Sequence, residues 1–179
     1  GSCFPKDTLA LVKTAQDFDR PIKIVEAVVE VNKNRKRHMA DKIVNACGGS
    51  VKGKKVAVLG LTFKPDTDDM RDSPSLAIVP ALIEGGAEVS AFDPQGMDEA
   101  REMLDGVNWC ESSYEALEGA DVVTLVTEWN EFRALDLERV KASMSNPVMV
   151  DLRNIYNPEE MVDAGFEYYC IGRTVENVK

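Results

Sequence analysis

The stretch Lys55-Val-Ala-Val-Leu-Gly60 decides the fold. It is a short run rich in β-branched residues, closed by a glycine and followed by a helical stretch over about 75–85, the pattern of a buried parallel strand entering a crossover. The alternation recurs downstream. Residues 88–92 read as strand, 97–104 as helix, 108–110 as a short strand and 114–119 as helix. Residues 121–127 and 147–152 are the next strong strands, with 137–144 helical between them, and 166–171 closes the sheet. Strand and helix alternating over short connections predict a doubly wound, mostly parallel, Rossmann-like α/β sheet.

Upstream of Lys55 the text is helical. Leu9, Leu11, Val12 and Ala15 mark a short helix from Asp7 to about Phe18, opened by Pro5 and ended by a turn-like stretch before Pro21. Pro21 suits the first turn of a second helix running to Cys47. Its apolar positions Ile22, Val25, Val28, Val29, Met39, Ile43 and Val44 fall largely on one stripe, around a basic middle of Lys33, Asn34, Arg35, Lys36 and Arg37. Gly48 and Gly49 end it. The expected division is a helical segment over 1–49 and an α/β domain over 50–179.

Composition narrows the function. A chain of 179 residues, 44% hydrophobic, buries one solid core with a short extension. Its 31 acidic against 21 basic side chains give a net charge of −10, which repels polyanions and argues against nucleic-acid binding. No apolar run reaches the roughly 20 residues of a membrane helix, and no signal-peptide pattern opens the chain, so no membrane association is expected. Cys3, Cys47, Cys110 and Cys170 show no C-x-x-C spacing, and His38 is the single histidine. No metal site and no disulfide framework are expected, and a reducing cytoplasm fits that cysteine usage. Cys47, Cys110 and Cys170 read as core, and His38 as solvated.

Doubly wound sheets bind ligands beyond the carboxyl ends of their strands. Three such ends stand out, at 60–71, 127–130 and 153–156. The first, Gly60-Leu-Thr-Phe-Lys-Pro-Asp-Thr-Asp-Asp-Met-Arg71-Asp-Ser-Pro74, follows a strand as a phosphate loop would, but lacks the second and third glycines of G-x-G-x-x-G. It is not expected to cradle a dinucleotide. With Lys64 and Arg71 set among Asp66, Asp68, Asp69 and Asp72, it reads either as a solvated turn with surface ion pairs or as a charged ligand loop. Near the start, Cys3-Phe-Pro-Lys-Asp7 sets a thiol just ahead of a helix, where the dipole and Lys6 favour thiolate. That cysteine reads as a nucleophile or as an inert structural thiol. Trp129 and the strand 121–127 read as core and its rim, Thr127 and Glu128 as residues a cofactor could touch, and the basic run 33–37 as a solvated face.

Taken together, Gly1-Ser-Cys-Phe-Pro-Lys-Asp-Thr-Leu-Ala-Leu11, the 60–74 segment, Phe92-Asp-Pro94 and Val150-Asp-Leu-Arg-Asn154 resemble the UDP-glucose/GDP-mannose dehydrogenase family over nearly the whole chain. Phenylalanine after the cysteine favours the UDP-glucose branch, with GDP-mannose or another nucleotide sugar as the alternative. The resemblance implies oxidation of UDP-glucose to UDP-glucuronate with two NAD, through a cysteine thiohemiacetal and thioester. It implies Cys3 as nucleophile and Asp7 as the acidic group that positions or activates water. It places Phe63, Lys64 and Arg153 on the nucleotide sugar, and Lys6 and Arg71 toward NAD. Residues 1–49 then become the catalytic-cysteine segment with linking helices, and 50–179 the nucleotide-sugar-binding domain. The family's N-terminal NAD-binding domain is missing from this chain, so the chain alone is expected not to turn over. A homodimer or larger assembly is expected of the full-length protein. Gly1-Ser2 reads as native sequence or as a cloning scar. Two competing readings make the chain a non-catalytic nucleotide-sugar-binding module or an assembly domain.

Overall fold

Every strand of the sheet runs the same way. The computed structural model describes residues 3–173. Two helices, α1 (Cys3–Asp17) and α2 (Lys23–Ala46), lead into β1 (Lys55–Leu59), α3 (Ser75–Glu84), β2 (Glu88–Phe92), α4 (Met97–Met103) and β3 (Val107–Trp109). The chain continues through α5 (Ser113–Leu117), β4 (Val122–Leu125), α6 (Asn130–Arg133), α7 (Leu137–Ser143), β5 (Val148–Asp151), α8 (Pro158–Asp163) and β6 (Glu167–Cys170). The strand order is β3-β2-β1-β4-β5-β6, and all five pairings are parallel. The mostly parallel expectation becomes an all-parallel sheet. The chain winds outward from β1 to β3, then returns to lay β4 beside β1. The connections leaving β1 and β4 therefore diverge, and in sheets of this kind ligands bind at that switch point.

Both faces of the sheet are covered, so its strands read as apolar runs rather than as alternating patterns. Period two still sorts the side chains. Ala57, Leu59, Val123, Leu125 and Met149 pack on one face with Trp129, Phe132 and Tyr168. Val56, Val58, Val122 and Val150 pack on the other with Ile43, Ile78, Val79 and Leu82.

Several sequence expectations need correction. The first helix begins at Cys3, ahead of Pro5, because proline lacks only a first-turn N–H that no carbonyl would meet. The second begins at Lys23, leaving Pro21 outside it. The short strand lies at Val107–Trp109, a residue earlier than read. The short helices α6 and α8 were not expected. Cys110 and Cys170 are buried as read, whereas Cys47 is half-buried. Burial pushes all three thiols up from their ordinary value. Lys36 is not a solvated member of the basic run: its ammonium donates to the Asp72 carbonyl at 2.7 Å and lies 3.3 Å from the Asp72 carboxylate.

Candidate functional site at the carboxyl ends of the strands

Gly60 closes β1 with φ of 89°. A Cβ there would lie 2.6 Å from both the Thr127 Cβ and its backbone nitrogen, so only glycine lets the ends of β1 and β4 approach this closely. The next two amides, of Leu61 and Thr62, donate to Oδ2 of Asp93 at 2.7 and 3.1 Å. The same oxygen accepts from the Thr62 hydroxyl and the Trp129 indole, each at 3.1 Å, while Oδ1 accepts from the amides of Gln95 and Gly96. Asp93 is 1% exposed. Its carboxylate takes the amides that a phosphate loop would offer to a ligand, so this turn is not a dinucleotide cradle, and the missing glycines have their physical counterpart.

Beyond Thr62 the loop turns on itself. The Phe63 amide donates to the Asp69 carbonyl at 2.9 Å, and the exposed Lys64 ammonium sits 5.9 Å from the Phe63 ring centroid. Arg71 sets its fork on Asp69, with Nε and Nη2 each 2.9 Å from a carboxylate oxygen. This is the surface ion pair of one sequence reading, and it also fixes the cation of the other. Asp72, at φ of 58°, leads out of the loop. The hydroxyls of Ser73 and Ser75 then return to the Leu61 carbonyl at 2.6 and 2.5 Å.

A second buried carboxylate organises the loop after β5. Asp151 accepts from the amides of Arg153, Ile155 and Tyr156 and from the Tyr168 hydroxyl, at 2.9, 2.7, 3.1 and 2.6 Å. Burial and this hydrogen bond push the Tyr168 phenol well above its ordinary value. The Arg153 Nε donates to Oε2 of Glu128 at 2.6 Å. Burial opposes ionisation of Glu128, but the Arg153 hydrogen bond, a backbone hydrogen bond and the Arg153 and Arg133 charges together outweigh it and hold the carboxyl below its ordinary value. Between α2 and the ends of β4, β5 and β6 lies a cleft of about 210 Å³, with Arg35, Lys36 and Arg153 at its edge and Ile78, Val126 and Leu152 within it.

The structure thus brings Phe63, Lys64 and Arg71 onto one loop and Arg153 onto another, at carboxyl ends of the same sheet. Lys6 and Asp7 stand exposed in the first turns of α1, with no side-chain partner among the described residues. A groove of about 300 Å³ between α1 and α2 extends from Phe4 and Pro5 to Lys36 and Asp72, so the first turn of α1 faces the exit of the loop. The side chain of Cys3 and the residues Gly1-Ser2 lie outside what is described. Sequence reasoning gave no role to Asp93, Asp151 or Lys36. The first two stood in the quoted motifs, and the third in a run read as solvent. Among the described residues no cluster of acidic, histidine or cysteine side chains could hold a metal, and no helix is long and apolar enough to cross a membrane.

Strand order and switch point define a doubly wound, all-parallel α/β domain whose own phosphate-loop position is closed by a carboxylate. Residues 57–158 match the UDP binding domain of the UDP-glucose/GDP-mannose dehydrogenase family, and residues 1–34 match that family's central domain. The chain belongs to this family. It is 57% identical over 173 residues to a UDP-glucose 6-dehydrogenase of Rhizobium meliloti, covering 97% of this chain and 40% of that protein. The UDP-glucose 6-dehydrogenase TuaD of Bacillus subtilis is 43% identical over 174 residues, with 97% and 38% covered. Among solved structures, a UDP-glucose dehydrogenase from Pyrobaculum islandicum superposes with a TM-score of 0.76 at 33% identity, over 94% of this chain and 37% of that one. A UDP-D-ManNAc dehydrogenase from Pyrococcus horikoshii gives 0.79 at 28%, over 97% and 38%. The chain therefore spans about 40% of the length of the curated relatives it matches.

Proposed function

We propose that this chain is the nucleophile-bearing and nucleotide-sugar-binding part of an NAD-dependent UDP-glucose dehydrogenase that forms UDP-glucuronate. The observation that carries this reading is the pair of loops, 61–74 and 152–157, that buried carboxylates fix at the carboxyl ends of β1 and β5 and that bear Lys64 and Arg153. On it, residues 1–49 form the catalytic-cysteine segment and 50–179 the sugar-nucleotide domain. Lys64 and Arg153 offset the diphosphate charge, and Phe63 packs beside the nucleotide.

Oxidation at C6 proceeds in two stages. The alcohol first loses a proton and a hydride to give the aldehyde. The Cys3 thiolate adds to that carbonyl, and with a proton the adduct becomes a thiohemiacetal, which then loses its hydroxyl proton together with the second hydride to leave a thioester. Water, positioned or activated by Asp7, attacks the thioester carbon, expels the thiolate and leaves the carboxylate. NAD, when bound, accepts the hydride at each oxidation. Because Asp93 holds the amides of Leu61 and Thr62, the dinucleotide is not cradled by this sheet. Arg71 and Lys6 reach toward it, and its main binding surface lies in another part of the longer protein. That protein is cytoplasmic and works as a homodimer or larger assembly.

Calorimetric titration of the chain with UDP, UDP-glucose, UDP-N-acetylmannosamine and GDP-mannose tests the reading. The uridine ligands are expected to bind better than GDP-mannose, and Lys64→Ala to weaken them by roughly tenfold. Failure of the wild-type chain to bind any uridine ligand would sink the proposal. The chain alone is expected to reduce no NAD with UDP-glucose. In a longer chain that does turn over, Cys3→Ser is expected to keep UDP-glucose binding and lose activity.

A further inference from the structure

We propose that Thr127 and Glu128, the residues just past β4, are positioning residues that hold the two ligand loops in a fixed spacing. The inference rests on the nucleotide-sugar reading above. In the sheet β4 lies between β1 and β5, so the end of β4 is next to both loops. Its residues point three ways. The Thr127 hydroxyl, fully buried, donates to the Thr62 carbonyl at 2.6 Å, two residues before Lys64. Glu128 accepts from the Arg153 Nε at 2.6 Å. Trp129 donates its indole N–H to Asp93, which itself holds the amides of Leu61 and Thr62.

Charge alone does not account for Glu128. A carboxylate beside a site for an anion weakens that site's field, so its place there calls for a compensating effect. The geometry supplies one. Guanidinium has five N–H donors, and Glu128 engages the Nε side, leaving the terminal nitrogens for a phosphate. An arginine already immobilised loses less freedom when a ligand arrives, which favours binding. Thr127 acts likewise on the other loop. Gly60 packs closely on it, and the Thr62 carbonyl meets the Thr127 hydroxyl at the base of the loop.

Positioning and simple electrostatics predict opposite results for Glu128→Gln. Without the negative charge, an electrostatic neighbour gives tighter UDP binding, whereas a positioning residue gives weaker binding. The 179-residue chain is titrated calorimetrically with UDP as wild type, E128Q, T127V, R153A, K64A and the doubles E128Q/R153A and T127V/K64A, with a thermal midpoint for each. E128Q and T127V are each expected to weaken UDP by on the order of five- to tenfold and to have little further effect in the R153A and K64A backgrounds respectively. Thr127→Ser, which keeps the hydroxyl, is expected to retain wild-type affinity and stands in if T127V does not fold. Unchanged or tighter binding in E128Q overturns the proposal. Full additivity with R153A does so too, and so do lowered thermal midpoints with intact affinity, which indicate a merely structural role. If wild type binds UDP and K64A weakens it while E128Q and T127V do nothing, this inference alone fails. If wild type binds no uridine ligand, the nucleotide-sugar reading fails and takes the inference with it.

Discussion

Asp93 shows how much of the site rests on one side chain. Its carboxylate accepts from four backbone amides, a hydroxyl and an indole. Asn in its place would turn an N–H toward donors and leave some of them unmet in a dry setting. Asp93→Asn is therefore expected to lower stability by roughly 3 kcal/mol or more, read as a fall in the urea midpoint. A midpoint shift worth less than about 0.5 kcal/mol would mean the donors find other partners. Glu128 gives a pH-dependent counterpart. Its folded value lies below the ordinary 4.5, so the stability it contributes is present above that pH and is lost as the pH falls through the folded value. The stability gap between wild type and Glu128→Gln should be constant near pH 7 and close on acidification, as denaturant titrations at pH 7, 5 and 3 would measure. Both carboxylates could be read in the sequence as residues but not as anchors. An aspartate at a strand end reads as a turn residue, and the donors that Asp93 meets at Leu61 and Trp129 are some 30 to 40 positions away.

At the scale of elements, the central strands β1, β4 and β5 were legible because they are almost wholly buried runs, and the boundaries of all six strands fell within about two residues of those read. Helix α6 was not legible, since four residues hold barely one 3.6-residue turn, and α8 was missed although Asn157 and Pro158 form a helix-start signal. The second helix was legible as a helix but not in what it packs against. Its apolar stripe reads along both ends of the helix, yet only the C-terminal half joins the core: Ile43 is 0% exposed and Val28 51%, and Ile24, off that stripe, is 81% exposed. The two isoleucines therefore make a matched pair. Ile43→Ala removes fully packed methyl groups and is expected to cost about 3 to 4 kcal/mol. Ile24→Ala is expected to stay within about 0.5 kcal/mol. Urea unfolding of this chain measures both. Equal losses would mean that the first half of α2 is packed against something in solution.

For the whole molecule, alternation in the sequence predicted the parallel sheet, but nothing local encodes which strand neighbours which. The adjacency of β1 and β4, on which the site depends, comes from long-range packing. The far edge of the sheet is closed differently from its centre. There Tyr156, Tyr168 and Tyr169 lie around β6 and the loop after β5, and all three phenols are raised from the ordinary 10.0. For Tyr169 the Glu167 hydrogen bond and burial push the value up to about 12. For the other two, burial is the larger cause and the Asp151 charge adds to it. A phenol raised on folding keeps a proton that the unfolded chain has released. Its contribution to stability is therefore full below pH 10.0 and is lost as pH rises toward the folded values. The folded state should accordingly weaken steeply above about pH 10, and hydrogen exchange should show the β5–β6 edge opening before the β1–β4 centre. Tyr168→Phe removes the hydroxyl bonded to Asp151, which costs about 1 kcal/mol at neutral pH, but it also removes one titrating group. Its stability should therefore fall less steeply than that of wild type between pH 10 and 12, and denaturant midpoints across that range decide it. An unchanged slope would place the alkaline weakness elsewhere, in a chain whose net charge of −10 already strains it as the pH rises.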